Sequence, residues 1–173
     1  GVYLINDGLT ETRSATATYF LPSEHEWYKA AYYDPRSTAE GGPPQDSYYW
    51  SYPTRPTRRD TAPPAHSPPC SNCANYDGVV GNSTDVGAYR GATSYYGTLD
   101  QGGNVWEWNE SLIDGRLRGA RGGSWGTSAL ELSSDFRLSD INRYPPTQHS
   151  RSVGFRVASA IREPKTIYHF TTI

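Results

Sequence analysis

Two carboxylates, Asp100 and Glu107, lie on either side of a glycine-rich turn in the sequence Asp-Gln-Gly-Gly-Asn-Val-Trp-Glu. Such a turn leaves backbone carbonyls free to point inward. Calcium takes about six to eight oxygen ligands and combines carboxylates with backbone carbonyls. The spacing is therefore typical of a calcium site. The alternative is that Glu107 pairs with an arginine and that no metal binds.

The two cysteines of the chain, Cys70 and Cys73, form one Cys-Ser-Asn-Cys motif in a proline-rich stretch. One such pair cannot complete a four-cysteine zinc site. It also does not stand between a strand and a helix, as a thioredoxin-type motif does. We expect a local structural role, either as free thiols or as a loop disulfide, with a metal or redox role as the alternatives.

The histidines are scattered and offer no metal-binding pair at helical spacing. They are His25, His66, His149 and His169. The sequence also contains no nucleotide phosphate-binding loop and no dinucleotide-binding motif. Chemistry based on histidine pairs or bound nucleotides is therefore not expected.

The composition excludes further function classes. The chain has 173 residues, with 16 Lys and Arg against 18 Asp and Glu, giving a formal net charge of −2. This balance disfavours nucleic-acid binding that rests on bulk positive charge. No apolar run approaches the ~20 residues of a membrane span. With 17 glycines and 13 prolines, the chain predicts many turns and little regular helix.

One helix is clearly predicted, beginning at Ser23 and ending before Asp34 and Pro35. Ser23 and Glu26 have the spacing of a capping box. The predicted buried face comprises Trp27, Ala30 and Ala31. Outside the helix we expect a hairpin over residues 1–18, a long irregular loop over 36–72 and a short strand over 153–157.

Four motifs follow in fixed order, and together they resemble the formylglycine-generating enzyme and sulfatase-modifying factor family. They are Leu21-Pro22-Ser23-Glu24-His25-Glu26-Trp27, Gly103-Asn104-Val105-Trp106-Glu107-Trp108, Arg121-Gly122-Gly123-Ser124-Trp125 and Gly154-Phe155-Arg156-Val157. The resemblance covers residues 1–160. These residues match the later two-thirds of a family domain, so the resemblance implies that the domain is incomplete at its N-terminus. It leaves residues 161–173 as a C-terminal tail. It implies an α+β, C-type lectin-like fold with low helix content, short antiparallel strands and long loops.

The resemblance implies calcium at two places. In the first site the ligands would be Asp100, the carbonyls of Gly103 and Val105, and the Glu107 side chain. The second site would begin at Asn75 and Tyr76. Its downstream acidic ligand falls in a segment that is shortened here, where the candidate substitutes are Asp77 and Asp85.

The resemblance also reveals a missing pair of residues. The family's oxidase chemistry uses two cysteines shortly after the Gly-Gly-Ser motif, and their thiolates bind copper. The matching stretch, residues 126–132, contains no cysteine, so we do not expect copper. The related sulfoxide synthases of the ergothioneine pathway hold iron through histidines of a separate N-terminal domain, which this sequence does not include.

Ligand contacts are expected on the late loops, residues 125–132 and 139–152. These loops combine Ser, Thr, Asn, Tyr and Arg, a mixture that suits adaptable binding surfaces but also any solvated loop. The candidate ligand-binding residues are Trp125, Thr127, Arg137, Asn142, Arg143 and Tyr144. The expected ligand is a protein or a carbohydrate.

We therefore predict a non-catalytic binding or structural module, although the absence of enzyme activity stays open. The alternatives are a metal-dependent oxidase of the same family and a subunit of an extracellular homopolymeric assembly. The tail carries four apolar side chains, which predict self-association: Ile167, Tyr168, Phe170 and Ile173. A secreted or cell-surface location is expected.

Overall fold

The computed structural model describes residues 11–54, 62–113, 117–136 and 150–160. In these residues it has one α-helix, α1 (Glu24–Tyr32). The strands of this part are β1 (Tyr19–Phe20), β2 (Trp106–Ile113), β3 (Leu117–Arg121), β4 (Val153–Phe155) and β5 (Ala158–Ser159). Short 3₁₀ turns lie at Thr38–Glu40, Pro44–Asp46 and Ala129–Leu132. The predicted α+β class with few helices, short strands and long loops is confirmed. Most of the predicted hairpin and the whole tail lie outside the described residues.

Helix α1 begins with the predicted capping box. The Ser23 hydroxyl accepts a hydrogen bond from the Glu26 N–H at 3.3 Å. The Glu26 carboxylate in turn accepts one from the Ser23 N–H at 2.7 Å. This exchange satisfies two backbone donors that have no partner inside the helix. The helix therefore has a fixed start, which positions its buried face against the sheet.

The buried face of α1 differs from the prediction at one position. Trp27 and Ala31 are buried as expected, but Ala30 is only partly buried and Tyr32 is fully buried. The Tyr32 hydroxyl donates to the Leu132 carbonyl at 3.1 Å. A buried phenol needs such a partner, so this bond lets the helix bury its last residue.

Strand β2 lies at the centre of a three-stranded sheet. It pairs with β3 in antiparallel orientation, with a break in register between Trp108 and Leu112. It pairs with β4 in parallel orientation, with Glu107 opposite Gly154. The expectation of antiparallel strands is therefore wrong for this pair. Parallel neighbours need a long connection, and residues 114–152, which include β3, separate β2 from β4.

The chain ends of the described part meet in a second, two-stranded sheet. Strand β1 pairs with β5 in antiparallel orientation, with Tyr19 opposite Ser159 and Phe20 opposite Ala158. The predicted strand over residues 153–157 is interrupted, because Arg156 and Val157 separate β4 from β5. The interruption lets the Arg156 side chain turn toward the centre of the domain.

The tryptophans of the described residues differ in burial. Trp27 and Trp106 are buried, whereas Trp108 and Trp125 are only partly buried. The ring of Trp106 lies 6.0 Å from that of Phe136. Small clusters around Trp27, Cys73 and Leu132 replace a single large core, as expected for a chain whose apolar area is largely aromatic.

The described part of the long loop over residues 36–72 contains no helix or strand beyond short 3₁₀ turns and isolated bridges. Trp50 is its main anchor: its backbone N–H donates to the Tyr32 carbonyl at 2.9 Å. Its indole N–H donates to the Asp34 carboxylate at 3.1 Å. The loop is therefore packed against the C-terminal end of α1.

Candidate functional site

The carboxylate of Glu107 lies where the four sequence motifs meet. Arg156, from the fourth motif, donates to both Glu107 oxygens, at 2.5 Å each. Trp27, from the first motif, donates its indole N–H to Glu107 Oε2 at 2.6 Å. Arg121, from the third motif, lies opposite Glu107 on the neighbouring strand. Glu107 itself is 6% exposed, so its charge is compensated inside the protein.

Sheet geometry places this ion pair. Strand β4 runs parallel to β2, and Gly154 stands opposite Glu107. Arg156 follows two residues later, where the chain leaves the strand, and its guanidinium also donates to the Leu99 carbonyl at 3.0 Å. The alternative to calcium, that Glu107 pairs with an arginine, is therefore found, and the arginine is Arg156. A buried carboxylate with an arginine and an indole donor is suited to holding motifs together.

The first calcium site does not fit this arrangement. A cation at Glu107 would stand beside the Arg156 guanidinium and be repelled by it. The carboxylate of Asp100 is engaged elsewhere, because it accepts the Gly87 N–H at 2.6 Å. Calcium held by Asp100, the Gly103 and Val105 carbonyls and Glu107 therefore stays a prediction that would require Arg156 to release its partner.

The surroundings of Asn75 fit a cation better. Asn75 is 1% exposed, and its amide oxygen has no hydrogen-bond partner. The amide nitrogen donates to the Asn82 carbonyl at 2.9 Å and to Asn104 Oδ1 at 3.2 Å. The Tyr76 hydroxyl donates to the Pro63 carbonyl, so this residue would have to contribute its carbonyl oxygen. A calcium ion here would satisfy the unpaired Asn75 oxygen, and this second site stays a prediction.

Trp125 and Thr127 lie together in a tight turn. The Thr127 hydroxyl accepts the Ser124 N–H at 2.9 Å and donates to the Ser124 carbonyl at 3.0 Å. It is therefore committed to the turn and less available to a ligand than predicted. The Trp125 indole N–H, in contrast, has no hydrogen-bond partner. That N–H is buried as well as unpaired, so Trp125 can contact a ligand only through the part of the residue that is exposed.

Backbone hydrogen bonds hold that turn against the Asn75 region. The Asp77 N–H donates to the Thr127 carbonyl and the Gly78 N–H donates to the Trp125 carbonyl, each at 2.8 Å. The Trp125 N–H donates to the Asn104 carbonyl at 2.9 Å. The turn is thus fixed on a scaffold. The other candidate ligand contacts lie outside the described residues: Arg137, Asn142, Arg143 and Tyr144.

The stretch that replaces the family's cysteines is folded as a 3₁₀ turn, Ala129–Leu132. Leu132 is fully buried, whereas Leu130 is 63% exposed. Cys70 and Cys73 form a disulfide in a different loop, with Cα atoms 5.9 Å apart. The predicted local role of the cysteines is thus a loop disulfide. Residues 126–132 contain no cysteine and therefore offer no thiolate.

Arg121 forms an ion pair with Glu24 that was not predicted from the sequence. The Arg121 guanidinium donates to Glu24 Oε1 at 2.8 and 3.0 Å, and also to the Phe136 carbonyl at 2.7 Å. Glu24 is 6% exposed. The sequence did contain a signal for the burial of Glu24. Glu24, Trp27 and Ala31 have the i, i+3, i+7 spacing of residues on one helix face.

Within residues 11–54, 62–113, 117–136 and 150–160, no group of three or more His, Cys, Asp or Glu side chains is arranged to hold a metal. In the same residues no helix is long and apolar enough to cross a membrane.

Comparison with protein families gives a match to the sulfatase-modifying factor enzyme 1-like domain over residues 7–161. Hercynine oxygenase of Mycolicibacterium smegmatis is 28% identical over 150 residues, covering 73% of this chain and 31% of that protein. Hercynine oxygenase of Mycolicibacterium thermoresistibile is 29% identical over 150 residues, covering 73% of this chain and 29% of that protein. The chain therefore spans less than a third of the length of these relatives.

Solved structures with the same fold include Treponema denticola variable protein 1, at 22% identity and a TM-score of 0.51, covering 86% of this chain and 50% of that one. PvdO from Pseudomonas aeruginosa is similar at 20% identity and a TM-score of 0.53, covering 83% of this chain and 53% of that one. At these identities the likeness concerns the fold alone.

Proposed function

The chain belongs to the sulfatase-modifying factor enzyme 1-like family, and we propose that it is a non-catalytic binding module on that family's scaffold. The observation that carries this proposal is the stretch after Arg-Gly-Gly-Ser-Trp. Residues 126–132 hold no cysteine and fold back as a 3₁₀ turn with Leu132 in the interior. Thiolates are the soft ligands that select Cu(I), and this turn offers none.

Two buried ion pairs, Glu107–Arg156 and Glu24–Arg121, support a structural rather than a catalytic role for these carboxylates. Both oxygens of Glu107 are held by Arg156, and Glu24 is held by Arg121. Carboxylates fixed in this way make poor general acids or bases, because each proton exchange would leave a buried arginine unpaired. The two ion pairs join α1, β2, β3 and the segment after β4.

The surface next to Trp125 is the proposed contact region for a protein or carbohydrate ligand. Trp125 is partly buried and its unpaired indole N–H lies inside the protein, so the exposed part of the residue offers an apolar contact rather than a directed hydrogen bond. Tryptophan anchors of this kind recur at the centres of binding surfaces. The backbone bonds from Asp77 and Gly78 hold the region in place, which lowers the entropy lost on binding.

The proposal predicts that the chain does not oxidise cysteine to formylglycine. A cysteine-containing sulfatase peptide, incubated with the chain, copper and a reductant in air, should keep its mass, because no thiolate pair stands after the Gly-Gly-Ser motif. Mass spectrometry of the peptide provides the readout. An authentic formylglycine-generating enzyme serves as the positive control, and conversion above the enzyme-free background would refute the proposal.

A second candidate function is favoured by the two curated relatives, which are both hercynine oxygenases. The chain would then be the part of such an oxygenase that binds substrate. Titration with hercynine in a calorimeter separates the two candidates. The binding-module proposal predicts no heat beyond dilution at millimolar hercynine. Saturable binding that Trp125→Ala weakens would favour the oxygenase.

A location outside the reducing cytosol is proposed as well. The Cys70–Cys73 disulfide supports it, because such bonds persist mainly in oxidising compartments. Calcium at Asn75 and the Tyr76 carbonyl is compatible with that setting. Its support is the unpaired Asn75 oxygen.

A further inference from the structure

Four tyrosines form a cluster on the surface beside the C-terminal end of α1, and this cluster is named the tyrosine patch. Its members are Tyr33, Tyr49, Tyr95 and Tyr96. We propose that the tyrosine patch binds a proline-rich segment of another protein that carries acidic side chains. The patch shares no residue with the Trp125 region, so the inference is independent of the proposed function.

The patch draws its rings from three segments of the chain. Tyr33 and Tyr49 are joined by an isolated antiparallel bridge, and their ring centres lie 5.2 Å apart. The ring centres of Tyr95 and Tyr96 lie 5.3 Å apart. Burial raises the pKa of Tyr96, and both phenols of the first pair raise it further because they are close to it. The two ring pairs therefore lie next to each other.

Tyr95 and Tyr96 occupy the two central positions of a tight turn. The Gly97 N–H closes this turn by donating to the Ser94 carbonyl at 3.1 Å. Ser94, at the base of the turn, is 1% exposed, whereas Tyr95 and Tyr96 are 37% and 50% exposed. Central turn positions are usually filled by glycine, proline or small polar residues. Here a fixed backbone instead presents two aromatic rings to the solvent.

The hydroxyl groups of the patch are available to a partner. Interior tyrosines of the chain donate to backbone carbonyls: Tyr76 to that of Pro63 and Tyr89 to that of His66. Among the residues that the structure describes, the four patch hydroxyls have no such bond. A polyproline II segment has no internal hydrogen bonds, so each of its carbonyls is a free acceptor. The patch hydroxyls can donate to these carbonyls.

The angles between the rings favour proline over a sugar. The planes of Tyr33 and Tyr49 are inclined by 61°, and those of Tyr95 and Tyr96 by 82°. Inclined rings form grooves rather than one flat face on which a pyranose could stack. Domains that bind polyproline II segments use aromatic-lined grooves of this kind, and the segment is extended before it binds. Little entropy is therefore lost on binding.

The charge beside the patch selects an acidic partner. The exposed Lys29 ammonium lies 5.2 Å from the centre of the Tyr33 ring, and within the described residues it forms no ion pair. The Arg36 guanidinium lies 5.3 Å from the centre of the Tyr95 ring. It is paired at 2.6 Å with Asp34, whose side chain is fully buried. Lys29 is thus the charge that an acidic side chain of the partner would meet.

The test is calorimetric titration of the full chain with the blocked peptide (Pro-Pro-Glu)₃. A polyproline II helix has about three residues per turn, so this repeat places its glutamates on one side and its prolines on the others. The comparison ligands are (Pro-Pro-Lys)₃, (Gly-Ser-Glu)₃ and maltose. We expect micromolar binding of (Pro-Pro-Glu)₃ and at least tenfold weaker binding of the other three. In ¹⁵N-labelled protein the bound peptide should shift the amides of Tyr95, Tyr96 and Gly97.

Three variants separate the contributions of ring, hydroxyl and charge. Tyr96→Ala removes a ring and should raise the dissociation constant of (Pro-Pro-Glu)₃ about tenfold. Tyr96→Phe keeps the ring and removes the donor, and should raise the constant about threefold. Lys29→Gln should also raise it about threefold and should narrow the difference between the acidic and the basic peptide.

Two matched controls lie outside the patch. Tyr19→Ala removes a tyrosine on β1 that is 66% exposed, and Arg151→Gln removes an exposed positive charge just before β4. Both should bind (Pro-Pro-Glu)₃ as the parent does. Tyr96→Ala should keep the melting temperature of the parent, because Tyr96 is half exposed at the tip of its turn.

The proposal is overturned if (Pro-Pro-Glu)₃ does not bind at millimolar concentration, or if the shifted amides lie outside the patch. Equal binding of (Gly-Ser-Glu)₃ would reduce the interaction to charge attraction and overturn it as well. Tighter binding of maltose than of any peptide would overturn it in favour of a saccharide site. If Tyr96→Ala lowers the melting temperature, Lys29→Gln decides: an unchanged dissociation constant overturns the proposal, and a threefold increase sustains it.

Discussion

Arg156→Ala should lower the free energy of unfolding by about 3 kcal/mol or more. The substitution leaves the Glu107 carboxylate, which is 6% exposed, with the Trp27 indole N–H as its remaining side-chain donor. Removing one member of a buried pair is costly because the other charge stays in a medium of low polarity. Denaturant unfolding followed by tryptophan fluorescence measures the loss.

Arg151→Ala is the matched control for that measurement. Arg151 lies just before β4, the strand that Arg156 follows, and it is exposed. Its loss should therefore change the free energy of unfolding by less than about 0.5 kcal/mol. Adding Glu107→Gln to the Arg156→Ala variant removes the unpaired buried negative charge. The double variant should therefore recover part of the lost free energy of unfolding. Equal, small losses for both arginine variants would show that the Glu107–Arg156 pair does not hold the motifs together.

Gly103→Ala should be more damaging still, at about 4 kcal/mol or more, or should prevent folding. Gly103 has a φ of +79°, and an added Cβ would lie 2.3 Å from the Asn75 carbonyl oxygen. That oxygen also accepts the Asn104 N–H at 2.8 Å, so the backbone cannot simply move away. Thermal unfolding by circular dichroism provides the readout.

Gly97→Ala separates the backbone cost from the steric clash. Gly97 has a nearly equal φ of +77° but nothing within 4 Å of its added Cβ. Only the left-handed conformation is then penalised, at about 1–2 kcal/mol. Similar losses for the two glycine variants would contradict the close packing of the Gly103 turn against the backbone of Asn75.

Local features of the fold could be predicted from the sequence because they depend on residues close together in the chain. The capping box of Ser23 and Glu26 is such a feature, and so is the end of α1 near Pro35. The glycine turn before Trp106 also belongs to this class. The pairing of Glu107 with an arginine was the stated alternative to calcium, because a buried carboxylate without a metal needs such a partner, but the sequence did not indicate which arginine.

Features that depend on distant segments were not predicted. Arg121 pairs with Glu24, which is 97 positions away, and no local pattern selects Glu24 over another carboxylate. The parallel pairing of β4 with β2 depends on the path of a long connection. The burial of Tyr32 depends on a carbonyl of Leu132. In each case the partner is chosen by topology, which the sequence motifs do not encode locally.

The expected calcium ligands show a limit of reading a site from the spacing of one motif. Their spacing is correct for a cation, yet Arg156 reaches Glu107 from outside the motif.

We propose that the chain keeps the family scaffold without a thiolate copper centre, because residues 126–132 contain no cysteine. Cu(I) affinity tests this most directly, since it does not depend on choosing the right substrate. Competition against a chromogenic Cu(I) chelator, with the Cys70–Cys73 disulfide intact, should show no transfer of copper to the chain. A Cys70→Ser, Cys73→Ser double variant should behave identically. Stoichiometric removal of Cu(I) from the chelator by both proteins would show that the chain has a copper site that does not depend on Cys70 and Cys73.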